Sequence, residues 1–104
     1  MVHVLATVEV AEGVRDAFLA EFHQIVPTVR AEDGCLEYGA AVDLATGQKA
    51  QPPVRDQVVV IVEKWRDLPA LEAHLAAPHM TAYRARVRHL VLKTTLQVLA
   101  PTGA

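Results

Sequence analysis

The apolar residues of the chain alternate with polar ones in some segments and recur at helical spacing in others. Alternation over residues 2–10 predicts a first β-strand with one fully apolar face. Residues 35–43 and 93–99 are predicted to form the second and fourth strands. The shared face of the second strand is predicted to carry Leu36, Tyr38, Ala40 and Val42. Residues 58–65 form a third strand that is apolar on both faces, so both of its faces need a cover.

Helical spacing of apolar residues starts at Val14 and runs to Val29, which predicts the first helix. Pro27 lies inside this pattern and is expected to kink the last turns. Asp67 is a plausible N-cap for a second helical segment, and Pro78 opens another one. The apolar stripe of that last segment consists of Met80, Tyr83, Val87, Leu90 and Val91.

The resulting order is strand, helix, two strands, a broken helix and a final strand. This is the split βαβ order of an α+β, ferredoxin-like fold, with a four-stranded antiparallel sheet and helices on one face. We predict a single domain over residues 1–104, with a short tail at 101–104. Residues 44–57 are polar and rich in turn formers, which predicts a long loop that is either a lid or a tolerated insertion.

The composition points to a second apolar surface. Hydrophobic residues make up 52% of the 104 residues and the mean hydropathy is +0.21, which is high for a chain whose single small core buries only part of its apolar surface. We therefore expect a homodimer, in which a second copy covers the free face of the sheet.

The charge pattern excludes several classes of partner. The net charge of -2 gives no overall attraction to nucleic acid or to an anionic membrane. The one basic cluster, at residues 84–89, is interpreted as a solvated helix face. The longest apolar run, residues 58–62, is far shorter than a membrane span of roughly 20 residues, and residues 1–10 do not resemble a secretory signal. With Cys35 as its only cysteine, the chain is expected to be a soluble, cytoplasmic protein.

His74 and His79 are the sharpest candidates for chemistry. An imidazole titrates near neutral pH, so either residue could act as a general acid or base, although each also fits an ordinary structural position. Their spacing of five, with Pro78 between them, disfavours a helical zinc pair, and we predict no metal. No glycine-rich phosphate loop is present, so no nucleotide cofactor is indicated.

Four further residues are candidates for a ligand pocket. Glu63 and Trp65 lie on one face of the third strand, where a carboxylate either reaches a wet strand end or serves a cavity. Tyr83 follows His79 by four residues and shares its helix face. His23 stays among the substrate-binding candidates, although a structural role beside Phe22 is the simpler interpretation.

These segments resemble the antibiotic biosynthesis monooxygenase family, whose quinol-monooxygenase-like members belong to the dimeric α/β barrel superfamily. The resemblance rests on Glu-Asp-Gly-Cys-Leu-Glu-Tyr at 32–38, Val-Glu-Lys-Trp-Arg at 62–66, Ala70-Leu71, and the histidine pair within 74–79. It implies a ferredoxin-like subunit that pairs sheet to sheet, with a ligand cavity between sheet and helices. It also implies oxidation of a small electron-rich aromatic, such as a quinol, by molecular oxygen without metal or flavin.

On this resemblance, His74 or His79 is the base and Glu63 orients a histidine or the substrate. Trp65 and Tyr83 then stack on the aromatic ring or hydrogen-bond to it. Two other hypotheses about the function remain open. The protein could be a dimer that only binds a small ligand or serves as a stress-related accessory protein, or it could be an enzyme that resembles muconolactone isomerase. Haem-degrading relatives of the family have an asparagine in the first strand and a haem-ligating histidine on a helix. Haem degradation is disfavoured here, because no asparagine lies near position 6 and Arg84 stands where that histidine would fall.

Overall fold

Seven regular elements build the chain, as seen in a computed structural model that describes residues 1–103. In chain order they are β1 (Val2–Val10), α1 (Arg15–Arg30), β2 (Cys35–Ala41), β3 (Val58–Trp65), α2 (Leu68–Ala76), α3 (Pro78–Val87) and β4 (Val91–Leu99). Their order confirms the predicted α+β, ferredoxin-like arrangement.

The four strands form one sheet in the order β2-β3-β1-β4, and every neighbouring pair is antiparallel. The two central strands pair from Val2 opposite Trp65 to Glu9 opposite Val58 without a shift. Each helical crossover therefore connects two strands that run parallel, with β3 inserted between β1 and β2. This is the split βαβ topology.

The hydrophobic core lies between the sheet and the helices. β1 buries Val4, Ala6, Val8 and Val10, as its alternation predicts. α1 covers them with Phe18, Phe22, Ile25, Val26 and Val29. β3 directs Val59, Ile61, Glu63 and Trp65 to the same side, so a carboxylate and an indole enter the core from the centre of the sheet.

Two strand boundaries differ from the predictions. β2 ends at Ala41 rather than at residue 43, and Val42 is exposed. Leu36 does not share the buried face of Tyr38, because the pairing of β2 with β3 shifts register between Cys35 and Glu37. β4 starts at Val91 rather than at residue 93, where the pairing with β1 also shifts.

The helix ends follow local rules. The Asp67 side chain accepts a hydrogen bond from Ala70 N at 2.9 Å, which confirms the predicted N-cap. α1 continues through Pro27 to Arg30 because the remaining backbone bonds are still made, including Ala31 N to Pro27 O at 3.2 Å. Pro78 occupies the first turn of α3, where its missing N–H costs nothing.

The loop predicted over residues 44–57 begins two residues earlier, because β2 ends at Ala41, and residues 42–57 have no helix or strand. The loop is fastened by its own ion pair. Arg55 Nε lies 2.8 Å from Asp43 Oδ2, which lowers the pKa of Asp43 to about 2. Gln57 Nε2 donates to Val10 O at 3.0 Å, so the loop returns at the end of β1. Within residues 1–103, no helix combines the length and the hydrophobicity of a transmembrane span.

The helices leave much of the sheet uncovered. Leu5, Val60 and Val62 alternate with the buried residues of β1 and β3, so they lie on the face away from the helices. Nearly all of β4 is exposed, and Leu96 is 42% exposed even though it lies on the helix side.

Candidate active site

Three polar side chains meet where α1, α2 and α3 come together. His74 Nδ1 lies 2.8 Å from Glu32 Oε2, and His79 Nε2 lies 3.0 Å from the same oxygen. His74 is 1% exposed, whereas the His79 side chain is about a third exposed at 32%. One carboxylate oxygen thus joins a buried imidazole to a partly exposed one.

Glu32 is held in place by the turn between α1 and β2. Gly34 adopts a φ of +83°, which an L side chain rarely takes. Gly34 O accepts a hydrogen bond from Arg66 N at 2.8 Å, and the Arg66 guanidinium pairs with Asp33 at 3.1 Å. These contacts fasten the turn to the end of β3 and direct Glu32 towards α2 and α3.

Glu63 is a buried carboxyl on the central strand β3, with 5% of its surface exposed. Trp65 Nε1 donates a hydrogen bond to Glu63 Oε1 at 2.9 Å. Burial raises the pKa of Glu63 to about 7, and the negative charge of Glu32 adds to the rise, while the Trp65 hydrogen bond opposes it. Glu63 therefore changes charge near neutral pH.

His74 lies between the two carboxyls. Its Nε2 is 4.0 Å from Glu63 Oε1, on the side opposite to the nitrogen that contacts Glu32. The Trp65 ring packs on the imidazole with centroids 4.6 Å apart, and the Tyr38 ring meets it edge-on at 5.4 Å. Burial lowers the pKa of His74 although the hydrogen bond to Glu32 works against this, so the imidazole is neutral at pH 7.

A cavity of about 350 Å³ opens between the sheet and α3, beside His74 and Glu63. Its walls are mainly apolar and include Ala6, Phe18, Ile61, Met80, Val87 and Leu96. Tyr38 and Tyr83 also line it, and burial raises the pKa of both phenols, so each hydroxyl keeps its proton. Arg84 and Arg88 bring positive charge to the lining. This volume suits a small aromatic molecule.

The structure brings together some of the predicted site residues and separates others. His74, Glu63 and Tyr83 line the cavity. Trp65 does not: it is fully buried and supports His74 and Glu63 from behind. His79 lies with Glu32 in a separate surface depression, and His23 is on the exposed side of α1, away from the cavity lining.

Two residues of this region were not singled out from the sequence. Tyr38, in the middle of the edge strand β2, lines the cavity, and Glu32 contacts both histidines. Both belong to the segment 32–38 on which the family resemblance rests. The family resemblance of that segment marked it as part of the site, but it did not indicate which of its side chains contacts a histidine.

Glu32, His74 and His79 are also the residues best placed to hold a metal ion in the described part of the chain. Their ligand atoms all lie within 4.8 Å of one another. However, the contacts of 2.8 and 3.0 Å are shorter than the roughly 3.4 Å between two ligands of a tetrahedral zinc ion with bonds of about 2.1 Å. The observed arrangement is that of hydrogen bonds.

Comparison with known proteins places this chain in a family. The sequence profile described as antibiotic biosynthesis monooxygenase matches residues 1–86. The chain belongs to this family. It is similar to the Escherichia coli K12 protein named "Probable quinol monooxygenase YgiN", with 41% identity over 103 residues, covering 97% of this chain and 98% of that protein.

Solved structures agree with this assignment. Rv0793 of Mycobacterium tuberculosis superposes with a TM-score of 0.80 at 29% identity, covering 99% of this chain and 96% of that one. PA3566 of Pseudomonas aeruginosa gives a TM-score of 0.79 at 25% identity, with 98% and 94% covered. Membership in the antibiotic biosynthesis monooxygenase family classes the chain among monooxygenases, which confirms that part of the expected function.

Proposed function

We propose that this member of the family oxidises a small electron-rich aromatic, of which a quinol is the simplest example, with molecular oxygen and without metal or organic cofactor. The observation that supports this most is the position of a neutral imidazole beside a titratable carboxyl in a largely apolar cavity. The name of YgiN supports the choice of a quinol.

The chemistry needs a base rather than a redox cofactor. Loss of a phenolic proton turns a quinol into an electron-rich anion that can pass electrons to oxygen. One oxygen atom forms a bond to a ring carbon and the other leaves as water, so a quinol and O₂ give a hydroxyquinone and H₂O. The substrate supplies all four electrons: two convert quinol to quinone, and two convert C–H to C–OH.

Five polar residues of the cavity have roles in this scheme. His74 takes the phenolic proton at Nε2, the nitrogen that faces Glu63 across 4.0 Å, and returns a proton to the departing oxygen. Glu63 orients the substrate hydroxyl, in its protonated or charged form according to pH. The hydroxyls of Tyr38 and Tyr83 donate to the second substrate oxygen, and Arg84 stabilises the anion. Apolar walls exclude water from it.

Oxygen uptake tests this proposal directly. Chelator-treated protein would be assayed with naphthoquinols, catechols and anthrones, and heat-denatured protein would serve as the control. Uptake that depends on the enzyme, survives chelation and yields one hydroxylated product per O₂ is the expected result. Absence of uptake across the panel would contradict the proposal and favour the isomerase-like or ligand-binding readings.

The proposal includes a homodimer with a sheet-to-sheet interface, that is, a dimeric α/β barrel. Leu5, Val60 and Val62 support it, because they form an apolar strip on the face that no helix covers. A cytoplasmic location and the absence of nucleic-acid and membrane partners stay predictions from charge and composition.

A further inference from the structure

Glu32 lies outside the cavity, yet it contacts His74, the residue that acts as the base in the proposed mechanism. Its Oε2 accepts hydrogen bonds from both His74 and His79, at 2.8 and 3.0 Å. An ionised carboxylate can only accept hydrogen bonds, so each nitrogen that contacts it must carry the proton. His74 therefore holds its proton on Nδ1, and His79 holds its proton on Nε2.

This placement determines what the other His74 nitrogen can do. A neutral imidazole has one N–H and one lone pair. With the proton held at Nδ1 by Glu32, the lone pair is at Nε2, towards Glu63 and the cavity. The opposite tautomer would place a proton on Nε2, and the nitrogen could then accept nothing from a substrate.

We propose that Glu32 is a positioning residue that fixes His74 in the Nδ1–H tautomer and so makes Nε2 the basic atom of the cavity. This inference rests on the proposed function, in which His74 is the base. When His74 takes the substrate proton, the negative charge of Glu32, in contact at 2.8 Å, stabilises the imidazolium that forms.

His79 supports this arrangement from the outside. Its Nε2–H occupies the same carboxylate oxygen, and its ring is partly exposed in the depression that Glu32 also lines. Neither Glu32 nor His79 lines the cavity, so neither touches the substrate. The two histidines therefore have different roles: His74 acts on the substrate, and His79 orients Glu32.

The tautomer of His74 can be measured without any substrate. In protein labelled with ¹⁵N-histidine, two-bond ¹H–¹⁵N correlations of the ring show which nitrogen carries the proton. We expect Nδ1–H for His74 in the wild type near pH 7.5, and Nε2–H in Glu32→Leu, which removes the acceptor and leaves a shorter, apolar side chain. Nε2–H in the wild type would overturn the proposal, and this measurement needs no variant to fold.

Kinetics with the quinol that gives uptake separate positioning from structure. Glu32→Leu is expected to lower kcat by at least about 100-fold with KM changed less than about threefold, since general-base catalysis contributes about 10²–10⁴-fold. Glu32→Asp, which retains the carboxylate, should recover part of that loss. Glu72→Leu is the matched control, because Glu72 is exposed on α2.

The two hypotheses fail differently. If no quinol is turned over but His74 is Nδ1–H in the wild type and Nε2–H in Glu32→Leu, the assignment of Glu32 stands and the proposed function falls. If quinol is turned over while Glu32→Leu keeps the wild-type kcat and tautomer, the function stands and the role of Glu32 is wrong.

Discussion

At the scale of single residues, the site is defined by polar groups held in an apolar core. Two carboxyls, Glu32 and Glu63, flank the buried His74. The pKa values of Glu63 and His74 shift in opposite directions, because burial raises the pKa of the carboxyl and lowers the pKa of the imidazole. Both shifts favour the neutral forms, as expected for groups removed from water.

The raised pKa of Glu63 makes the stability of the fold depend on pH. Because the folded state holds the Glu63 proton up to about pH 7 while the unfolded chain releases it near 4.5, the free energy of unfolding falls as pH rises through this window. Glu63→Gln has no such titration. We expect it to gain up to about 3 kcal/mol relative to the wild type between pH 4 and pH 8.

Urea unfolding at several pH values measures this difference. Glu72→Gln, an exposed change of the same kind, should give a nearly constant offset from the wild type. A Glu63→Gln profile parallel to the wild type would show that Glu63 does not keep its proton in the fold.

Trp65 offers a second prediction at this scale. Its N–H is a hydrogen-bond donor to Glu63 Oε1 and stabilises the charged carboxylate. Trp65→Phe removes the donor and keeps an aromatic ring behind His74, so the pKa of Glu63 should rise above about 7. Side-chain ¹³C NMR titration of Glu63 would measure it, and an unchanged or lower pKa would contradict the assigned role of the indole.

Glu63 could be identified from the sequence and Glu32 could not. A carboxylate within a strand whose other residues are mostly apolar is unusual. Glu63 could therefore be singled out from the sequence pattern alone. Glu32 gains its meaning only from contact with His74, 42 residues away, and His79, 47 residues away. No local pattern encodes such contacts.

At the scale of elements, the strands that pair at the sheet centre were predicted best. β1 and β3 have the predicted bounds. β1 alternates apolar and polar residues, β3 is apolar over most of its length, and the two strands pair without a shift. β2 and β4 are edge strands whose pairing shifts by one residue at one end. Such shifts depend on the partner strand, so the pattern within either strand could not predict them.

The turn that carries Glu32 has little room for a side chain. A Cβ added at Gly34 would lie 2.6 Å from the Ala70 Cβ, and the residue has a φ of +83°. Gly13 has a similar φ of +78° but open space around it. We expect Gly13→Ala to cost about 1–2 kcal/mol of unfolding free energy and Gly34→Ala about 1–3 kcal/mol more, measured by urea unfolding.

Equal costs for the two glycine variants would contradict the close approach of this turn to α2. A loss of the His74 tautomer signal in Gly34→Ala, with Gly13→Ala unchanged, is expected in addition, because the turn positions Glu32.

At the scale of the whole molecule, the helices cover one face of the sheet and leave an apolar strip on the other. Leu5 is 37% exposed and lies opposite Val62 in the pairing of β1 with β3. Apolar strips of this kind are typical of interfaces between copies. The sequence predicted a second apolar surface from composition, but the partner itself stays a prediction.

Light scattering tests the dimer. We expect a mass twice 11.3 kDa at micromolar concentration, and a shift towards the monomer in Val62→Lys, which places a charge in the centre of the strip. Gln48→Lys, in the exposed loop, is the control for the same change of charge. A wild-type mass near 11.3 kDa would contradict the sheet-to-sheet arrangement.

The most direct test of the central claim is the rate of oxygen uptake with a naphthoquinol, compared between the wild type and His74→Phe. Phenylalanine keeps a planar ring against Trp65 and Tyr38 but has no basic nitrogen. We predict a loss of at least about 100-fold in kcat, with His23→Phe, changed on the exposed side of α1, equal to the wild type. A His74→Phe variant that consumes oxygen at the wild-type rate would contradict the assignment of His74 as the base of this cavity.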